Sequence, residues 1–568
     1  MSIHLKPLHK KTAAPNGADG KQEGSQDASG TAPVSQGPAD AGGPESDQAH
    51  LTRTAGVVGG ATLLSRILGA VRDIVIASVF GTGMISDAFI AAFRIPNLLR
   101  RLFGEGSLSI AFIPIYTETI YHHGREEGDR MAGSAIRLMA IVLALITIIG
   151  MAIAPLLVHA FAPGFSASAV KFALTVRLTR TMFPYVFFIG MVALCMGILN
   201  VLGHFAAPAL APAFLNVGMI TAVGIGSMLS APQSALVMWL AVGVSVGGAL
   251  QLSLQLPFLM RHGIHFHRHA PLWHPAFARI AWMMGPVLFG TAVYQINNLA
   301  VTLLASLLPQ GSISYLYYAD RLVQFPLGIF GVAMATAVLP TLSRQSAAQQ
   351  YGAMRQTFAQ ALSLVLFITL PAMSGLIVLR EPIVSLLFQR GAFNGHSMRL
   401  TASALLYYCM GLWAFAAIRI VLNVFYALKD TRTPVRAAVM TIVVNLALGV
   451  ILMGPMQHNG LALALSLASM LNLALLTMAL RRKLGALGWR HIAVSAGKSA
   501  LCAAVMGACV RTLSLRLLPP GAGKSIALLP GVATCALAGA LVFILMARLM
   551  GLAELKILMD GLRNKKKV

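Results

Sequence analysis

The chain has 568 residues, of which 57% are hydrophobic and 11% charged, and its mean hydropathy is +0.75. A soluble domain carries about a quarter charged residues, so this composition excludes a soluble globular protein and points to an integral membrane protein. The net charge of +25 does not indicate a nucleic-acid partner, because most Lys and Arg fall in short connections between apolar runs, where they set orientation in a bilayer.

Residues 1–50 are rich in Ala, Gly, Ser, Asp and Gln. They offer nothing to bury and are expected to form a disordered cytoplasmic tail. They hold no apolar h-region, so no signal peptide is expected and the first span must direct insertion. About fourteen apolar runs follow, each near the ~20 residues that cross a hydrocarbon core as a helix. They lie near 55–80, 85–118, 133–157, 179–203, 207–230, 234–260, 279–308, 313–343, 357–379, 398–428, 433–453, 460–481, 493–515 and 527–550. The last two carry few polar residues and read as peripheral. Alternating strand patterns are absent, which argues against a β-barrel. The fold class is therefore an all-α polytopic membrane protein.

Basic residues alternate between the two sides. Even-numbered connections carry Arg125 and Arg130, Arg261 and Arg268, Arg344 and Arg355, Lys429, Arg432 and Arg436, and Arg481, Arg482, Lys483 and Arg490. Arg563 and Lys565–Lys567 extend the C-terminal tail, whereas odd-numbered connections hold chiefly Lys171, Arg380, Arg390 and Lys524. The positive-inside rule then predicts that both termini are cytoplasmic.

The first span carries Arg66, Arg72 and Asp73, and the eighth carries Asp320 and Arg321. A charge at the middle of a spanning helix costs roughly 2.5–3.5 kcal/mol and usually faces a bundle interior or a wet cavity. At ~1.5 Å per residue, Arg72 falls about 13 Å inside the turn at Gly81 and Arg321 about 15 Å inside the turn at Gly311, so they share a layer. Arg66 lies deeper. On a straight helix Arg66 and Asp73 share a stripe and Arg72 stands roughly 120° away, so a bend at Gly69 is expected to aim both arginines at one ligand. Arginine keeps its charge and grips phosphate oxygens with two donors. Pairing within Arg72–Asp73 and Asp320–Arg321 accounts for the aspartates. Two carboxylates still cannot neutralise three cations, and the surplus needs an anion.

The second span carries Asp87, Arg94 and Arg101 on one stripe, with Glu105 one turn beyond Arg101 and Arg100 beside it. This reads as a graded track, repelling anions outside and attracting them inside. For Arg100 alone, snorkelling to headgroups accounts for the charge equally well. Pro96 and Asn97 predict a kink. A weak repeat links the halves. Arg94-Ile-Pro, Phe103-Gly104 and Ile113-Pro114 resemble Arg321-Leu-Val, Phe330-Gly331 and Leu339-Pro340 at an offset of about 227 residues, a pattern of transporters with a midplane site between two related halves.

Other signals point nowhere specific. The histidines between Arg261 and His274 read as a solvated basic loop. Gly521-Ala-Gly-Lys-Ser lacks the first glycine of a phosphate loop, since Leu518 stands there. The five cysteines lie in apolar segments and read as reduced core thiols. No nucleophile, base or metal-ligand set is arranged for catalysis, so neither an enzyme nor a metal site is expected.

Ser65-Arg66-Ile-Leu-Gly69, Arg72-Asp73, Ser86-Asp87-Ala-Phe, Pro96-Asn97-Leu-Leu-Arg100-Arg101, Glu105-Gly106 and Tyr317-Tyr-Ala-Asp320-Arg321 resemble the MurJ/MviN lipid II flippases of the multidrug/oligosaccharidyl-lipid/polysaccharide exporter superfamily. The resemblance runs from about Leu51 onward and is densest over Arg66–Glu118 and Tyr317–Pro340. It implies two pseudo-symmetric six-helix lobes, at 51–260 and 279–482, around a central cationic cavity. A basic linker at 261–278 joins them, lipid-groove helices occupy 483–551, and a basic tail covers 552–568. It further implies a transporter that flips the undecaprenyl-diphosphate disaccharide-pentapeptide across the bacterial cytoplasmic membrane by alternating access. Arg66, Arg72 and Arg321 are the implied diphosphate ligands. Asp87 is implied in the outer gate, Arg100 and Glu105 in gating and the lateral portal, and Asp73, Arg94, Arg101 and Asp320 belong to the cavity and its gates. No cofactor is implied beyond coupling to membrane potential or a monovalent cation. Some members carry a sodium-binding carboxylate in the seventh span, but 278–308 contains no Asp or Glu. The implied partners are lipid II, membrane lipids and the cell-wall synthesis machinery, with no nucleic acid and a monomeric state. The rival reading is a multidrug or other undecaprenyl-linked oligosaccharide exporter of the same superfamily; a cationic-drug exporter should line its cavity with carboxylates.

Overall fold

A backbone in hydrocarbon must satisfy its own N–H and C=O groups, and the helix does this within one segment. The computed structural model describes residues 44–104, 107–264, 271–518 and 525–564, and among them every regular element is helical. The contacts divide the chain into two units, Met1–Arg53 and Thr54–Val568. The described part of the first unit is the start of helix α1 (Pro44–Phe80), which begins within the tail expected to lack order. Residues 1–43, Glu105, most of the histidine-rich loop, Gly521-Ala-Gly-Lys and Lys565–Lys567 lie outside the described residues.

In the second unit α1 is followed by α2 (Met84–Gly104), α3 (Ser107–Ala152), α4 (Ala154–Phe161), α5 (Ala169–Met182), α6 (Pro184–Val201), α7 (Ala206–Met228) and α8 (Gln233–Arg261). Beyond the linker come α9 (Ala276–Ser306), α10 (Ser312–Pro326), a π-turn at Leu327–Gly331, α11 (Val332–Ala347), α12 (Tyr351–Val378), α13 (Arg380–Phe388), α14 (Gly395–Met410) and α15 (Leu412–Ala427). Then follow α16 (Arg432–Met456), α17 (His458–Leu484), α18 (Trp489–Leu517), α19 (Leu529–Leu549) and α20 (Ala553–Asn564). Among the described residues ten spans are long and apolar enough to cross a bilayer, and the pair α14–α15, bent by 42°, makes eleven. The expected fourteen is therefore not matched by this measure. Helices α1, α2 and α9 stand outside that set. Of the two last spans, expected to be peripheral, α19 buries only 17% of its apolar window, whereas α18 buries 39%, as much as α7.

Small residues let the helices approach closely. A Cβ on Gly218 of α7 would lie 2.7 Å from the Gly247 Cα of α8, and one on Gly243 would lie 2.9 Å from the Gly218 carbonyl oxygen. In lipid, where burying apolar surface gives no advantage over the acyl chains, such backbone approach supplies the packing energy. Helix α1 runs unbroken through Gly69, so the expected bend is absent. Gly69 instead faces the Asn216 side chain.

Phe103-Gly104 are the last described residues of α2, and the residues the repeat pairs with them, Phe330-Gly331, close the π-turn before α11. Gly104 and Gly331 each stand ten residues after Arg94 and Arg321, the arginines that the sequence repeat pairs.

The two halves meet at the outer end, taking the turn at Gly81 as outer. The Ala392 N–H donates to the Ser78 carbonyl at 2.8 Å, and the Thr82 and Ser397 hydroxyls are 2.5 Å apart. Gly81 (φ +60°) and Gly391 (φ +52°) form this seam. Each takes a left-handed conformation, and a Cβ on either would strike the opposite half at Ala392 or Ser78. At the other end α3 folds back at Gly124, whose φ of 85° interrupts it. That fold meets the linker: Arg125 donates to the His262 carbonyl at 2.8 Å, His274 lies 3.2 Å from Glu127, and Arg279 pairs with Glu118 at 2.9 Å. His204, in the turn before α7, stacks on Phe258; burial, with His262 nearby, lowers its pKa.

Candidate substrate cavity

The centre of the molecule is organised around one carboxylate. Arg72 of α1 is buried and donates to Asp73 Oδ1 from Nε at 3.0 Å and from Nη2 at 2.7 Å. Its Nη1 donates to Asn216 Oδ1 at 2.9 Å, and the Asn216 amide donates in turn to the Ser65 carbonyl at 3.2 Å. On the opposite side, Arg321 Nε lies 3.3 Å from Asp73 Oδ2. Tyr317 donates its phenol to Asp73 Oδ1 at 3.1 Å and accepts from Arg321 Nη2 at 3.0 Å, with the Arg321 guanidinium 4.7 Å above its ring. Asp73 is therefore shared by two guanidinium groups, one from each half.

The two arginines are not equivalent. The Arg72 side chain is 10% exposed and its donors are occupied, whereas that of Arg321 is 37% exposed. Arg321 Nε is buried and makes its ion pair without an aligned hydrogen bond among the described residues, while the partial exposure of the side chain leaves its guanidinium within reach of an incoming anion. Among the described residues no ion pair forms within Asp320–Arg321, where one was expected. Asp320 instead accepts from Gln324 at 3.4 Å.

A cavity of about 130 Å³ opens beside this cluster. Arg94, Arg101 and Arg321 line it against a single carboxylate, Asp320, with Tyr317 and Gln324 also in its wall. Arg94 donates to Thr302 of α9, and Arg101 Nε has no hydrogen-bond partner among the described residues. At about 30 Å³ per water the space holds only a few waters, so a large headgroup needs it to widen. Arg66 and Arg72 stand outside the lining. Arg66 is exposed, and its guanidinium lies against Gly328 of the π-turn, where a side chain would displace it. Arg100 donates to Asn97 at 2.7 Å. The expected Arg101–Glu105 pair lies outside the described residues.

Asp87 corrects the picture of a free repelling charge. It is 1% exposed, and Lys171 reaches its Oδ2 at 3.1 Å. The Gly311 N–H donates to Oδ2 at 2.8 Å, and the Ser314 N–H and hydroxyl donate to Oδ1 at 3.0 and 2.7 Å. A carboxylate at the first turn of a helix is favoured by the free N–H groups and the helix dipole. Asp87 thus holds the start of α10 from the other half and closes the outer end. Lys171 and Asn216 are the contributors that the sequence did not single out, and Tyr317 was named only as part of the Tyr317–Arg321 motif, without a role. The only signal was a lone polar residue in an apolar run, or for Lys171 a basic residue on the sparsely charged side.

The family model for the lipid II flippase MurJ matches residues 76–530. A probable lipid II flippase MurJ of Vibrio cholerae is 39% identical over 440 residues, covering 75% of this chain and 82% of that protein. One from Rhizobium tropici is 36% identical over 513 residues, covering 90% and 96%. Among solved structures, a lipid II flippase MurJ in an inward closed conformation aligns with a TM-score of 0.72 at 26% identity, over 87% of this chain and 98% of that one. An inward-facing multidrug transporter of the MATE family aligns with a TM-score of 0.63 at 15% identity, over 76% and 99%, which shows a shared fold alone. With the family model covering most of the length and relatives above one-third identity, this chain belongs to the lipid II flippase MurJ family, whose members are transporters and not enzymes.

Proposed function

We propose that the protein carries lipid II, the undecaprenyl-diphosphate-linked disaccharide-pentapeptide, from the inner to the outer leaflet of the bacterial cytoplasmic membrane. The observation that carries this reading is the sharing of Asp73 between Arg72 and Arg321 beside a cavity with three arginines and one carboxylate. An anionic headgroup supplies the missing charge, whereas a cationic drug meets the wrong sign.

The same geometry gives a route for alternating access. Asp73 joins α1 of one half to α10 of the other. A diphosphate that takes two donors of Arg321 competes with Asp73 for that guanidinium. Asp73 then falls back on Arg72 alone, and the link between halves weakens as the substrate binds. Arg66 and Arg94 complete the hold on the diphosphate and sugars, while the polyprenyl tail stays in lipid. Release of the Asp87 cap on α10 opens the outer side. Only differences in affinity between the two states can drive such a shift. With both termini cytoplasmic, membrane potential acts on the travelling charge by about 2.3 kcal/mol per unit charge per 100 mV. Coupling to that potential or to a monovalent cation supplies the direction. The protein acts as a monomer alongside the cell-wall synthesis machinery.

The test is headgroup translocation in reconstituted vesicles. Arg72→Ala and Arg321→Ala are each expected to abolish it while the protein stays folded in the membrane. Wild-type rates in both variants remove the binding role. Depletion in the host is expected to accumulate lipid II rather than another undecaprenyl-linked precursor.

A further inference from the structure

A second cavity, of about 920 Å³, lies away from the central cluster, at the corner where α17 ends, α18 begins and α19 turns into α20. Its rim carries Arg481, Arg490, His491 and Lys498. The single acid in its wall, Glu554, is 3% exposed and accepts a hydrogen bond from the Ser495 hydroxyl at 2.5 Å, so it is turned away from the rim. Lys498 donates to the Met550 carbonyl at 3.1 Å. These two contacts tie α18 to the α19–α20 corner and fix the cavity walls. Arg481 and Arg490 form no ion pair among the described residues, and both are exposed.

The floor of the cavity has the opposite character. Leu487 and Leu552 are buried beneath it, while Val494 is 53% and Trp489 37% exposed at its open side. Helix α20 packs Leu555 and Leu558 inward into the cluster with α12 and α19 and leaves Ile557 and Met559 exposed, the arrangement of a helix lying along a bilayer interface. A tryptophan beside cations at the end of spanning helices marks the headgroup layer.

We propose that this cavity is a binding site for the headgroup of an anionic phospholipid of the leaflet that faces the basic connections. The phosphate and any further negative charge meet Arg481, Arg490 and Lys498, and the first acyl carbons lie over Leu487, Val494 and Leu552. A soluble anion satisfies the rim but leaves the apolar floor and the lipid-side opening unused. Basic pockets between spanning helices at this depth select anionic headgroups by charge. The site is separate from the substrate cavity and needs neither Arg72 nor Arg321.

Trp489 is a built-in reporter. The full-length protein is reconstituted in phosphatidylcholine vesicles containing a small fraction of brominated phosphatidylglycerol or, in parallel, brominated phosphatidylcholine. Subtracting the Trp489→Phe variant removes the signal of the other tryptophans. Brominated phosphatidylglycerol is expected to quench Trp489 at several-fold lower mole fraction than brominated phosphatidylcholine. Arg481→Gln with Arg490→Gln is expected to erase that preference, on the order of five-fold per cation removed. Equal quenching by the two lipids in the wild type overturns the proposal, as does a preference that survives in the double variant. Inorganic phosphate that abolishes the preference in the wild type assigns the rim to a free anion and also overturns it.

Discussion

Asp87 and Ser314 stand 227 residues apart, at equivalent positions of the two halves, and are bonded to each other by both the Ser314 N–H and its hydroxyl. The relation between the halves thus passes through the outer seam, where one half supplies a carboxylate and the other a helix start. Removing one partner of a buried ion pair costs about 3–5 kcal/mol, because the other is left uncompensated. Asp87→Ala strips both Lys171 and the first turn of α10. It is expected to open the outer end and lower transport. Labelling of a Thr82→Cys probe by a membrane-impermeant maleimide, in a Cys509→Ser background, measures this. Unchanged labelling means the seam at Ser78–Ala392 closes the end by itself.

Asp73 competes with the substrate for Arg321. Asp73→Asn is expected to raise affinity for a diphosphate lipid by about tenfold or more, the equivalent of 1.4 kcal/mol. Turnover is expected to fall, since release no longer has a carboxylate to reclaim the arginine. Binding and translocation assays on the same preparation separate the two effects, and a fall in affinity contradicts the competition.

Gly328 has no side chain where the Arg66 guanidinium passes. Gly328→Ala keeps every charge and is expected to reduce transport as far as Arg66→Ala does, with the double variant no worse than either. Additive losses in the double variant show that the two positions act separately.

Asp430, in the connection before α16, accepts from the Thr433 N–H at 3.1 Å and from Lys483 at 2.5 Å. Burial acts to raise its pKa. The bonds from Lys483 and Thr433 outweigh this and hold the carboxyl at about 2, below the ordinary 3.8. A depressed carboxyl contributes stability above its ordinary pKa and loses it as the pH falls toward 2. Asp430→Asn is expected to cost about 1 kcal/mol at pH 7, the scale of a lost helix cap. The gap between wild type and variant in detergent unfolding should close below about pH 4.

The sequence by itself determined the class of the molecule. Apolar runs of bilayer length leave the helix as the only spanning conformation, and Arg72, Arg94 and Arg321 within those runs already announced an electropositive interior. The weak repeat also paired Arg94 with Arg321, and Gly104 with Gly331, along the chain. What only the tertiary structure decided is who pairs with whom. Adjacent aspartates suggested Arg72–Asp73 and Asp320–Arg321, yet Asp73 takes both arginines, Asp320 turns to Gln324, and Asp87 turns to Lys171 and Ser314. The partners Asn216 and Tyr317 lie 144 and 244 residues from the groups they bind. Periodicity along one helix fixes which face is polar, but ion pairing acts over a few ångströms, and that separation is set by how the helices of two halves pack.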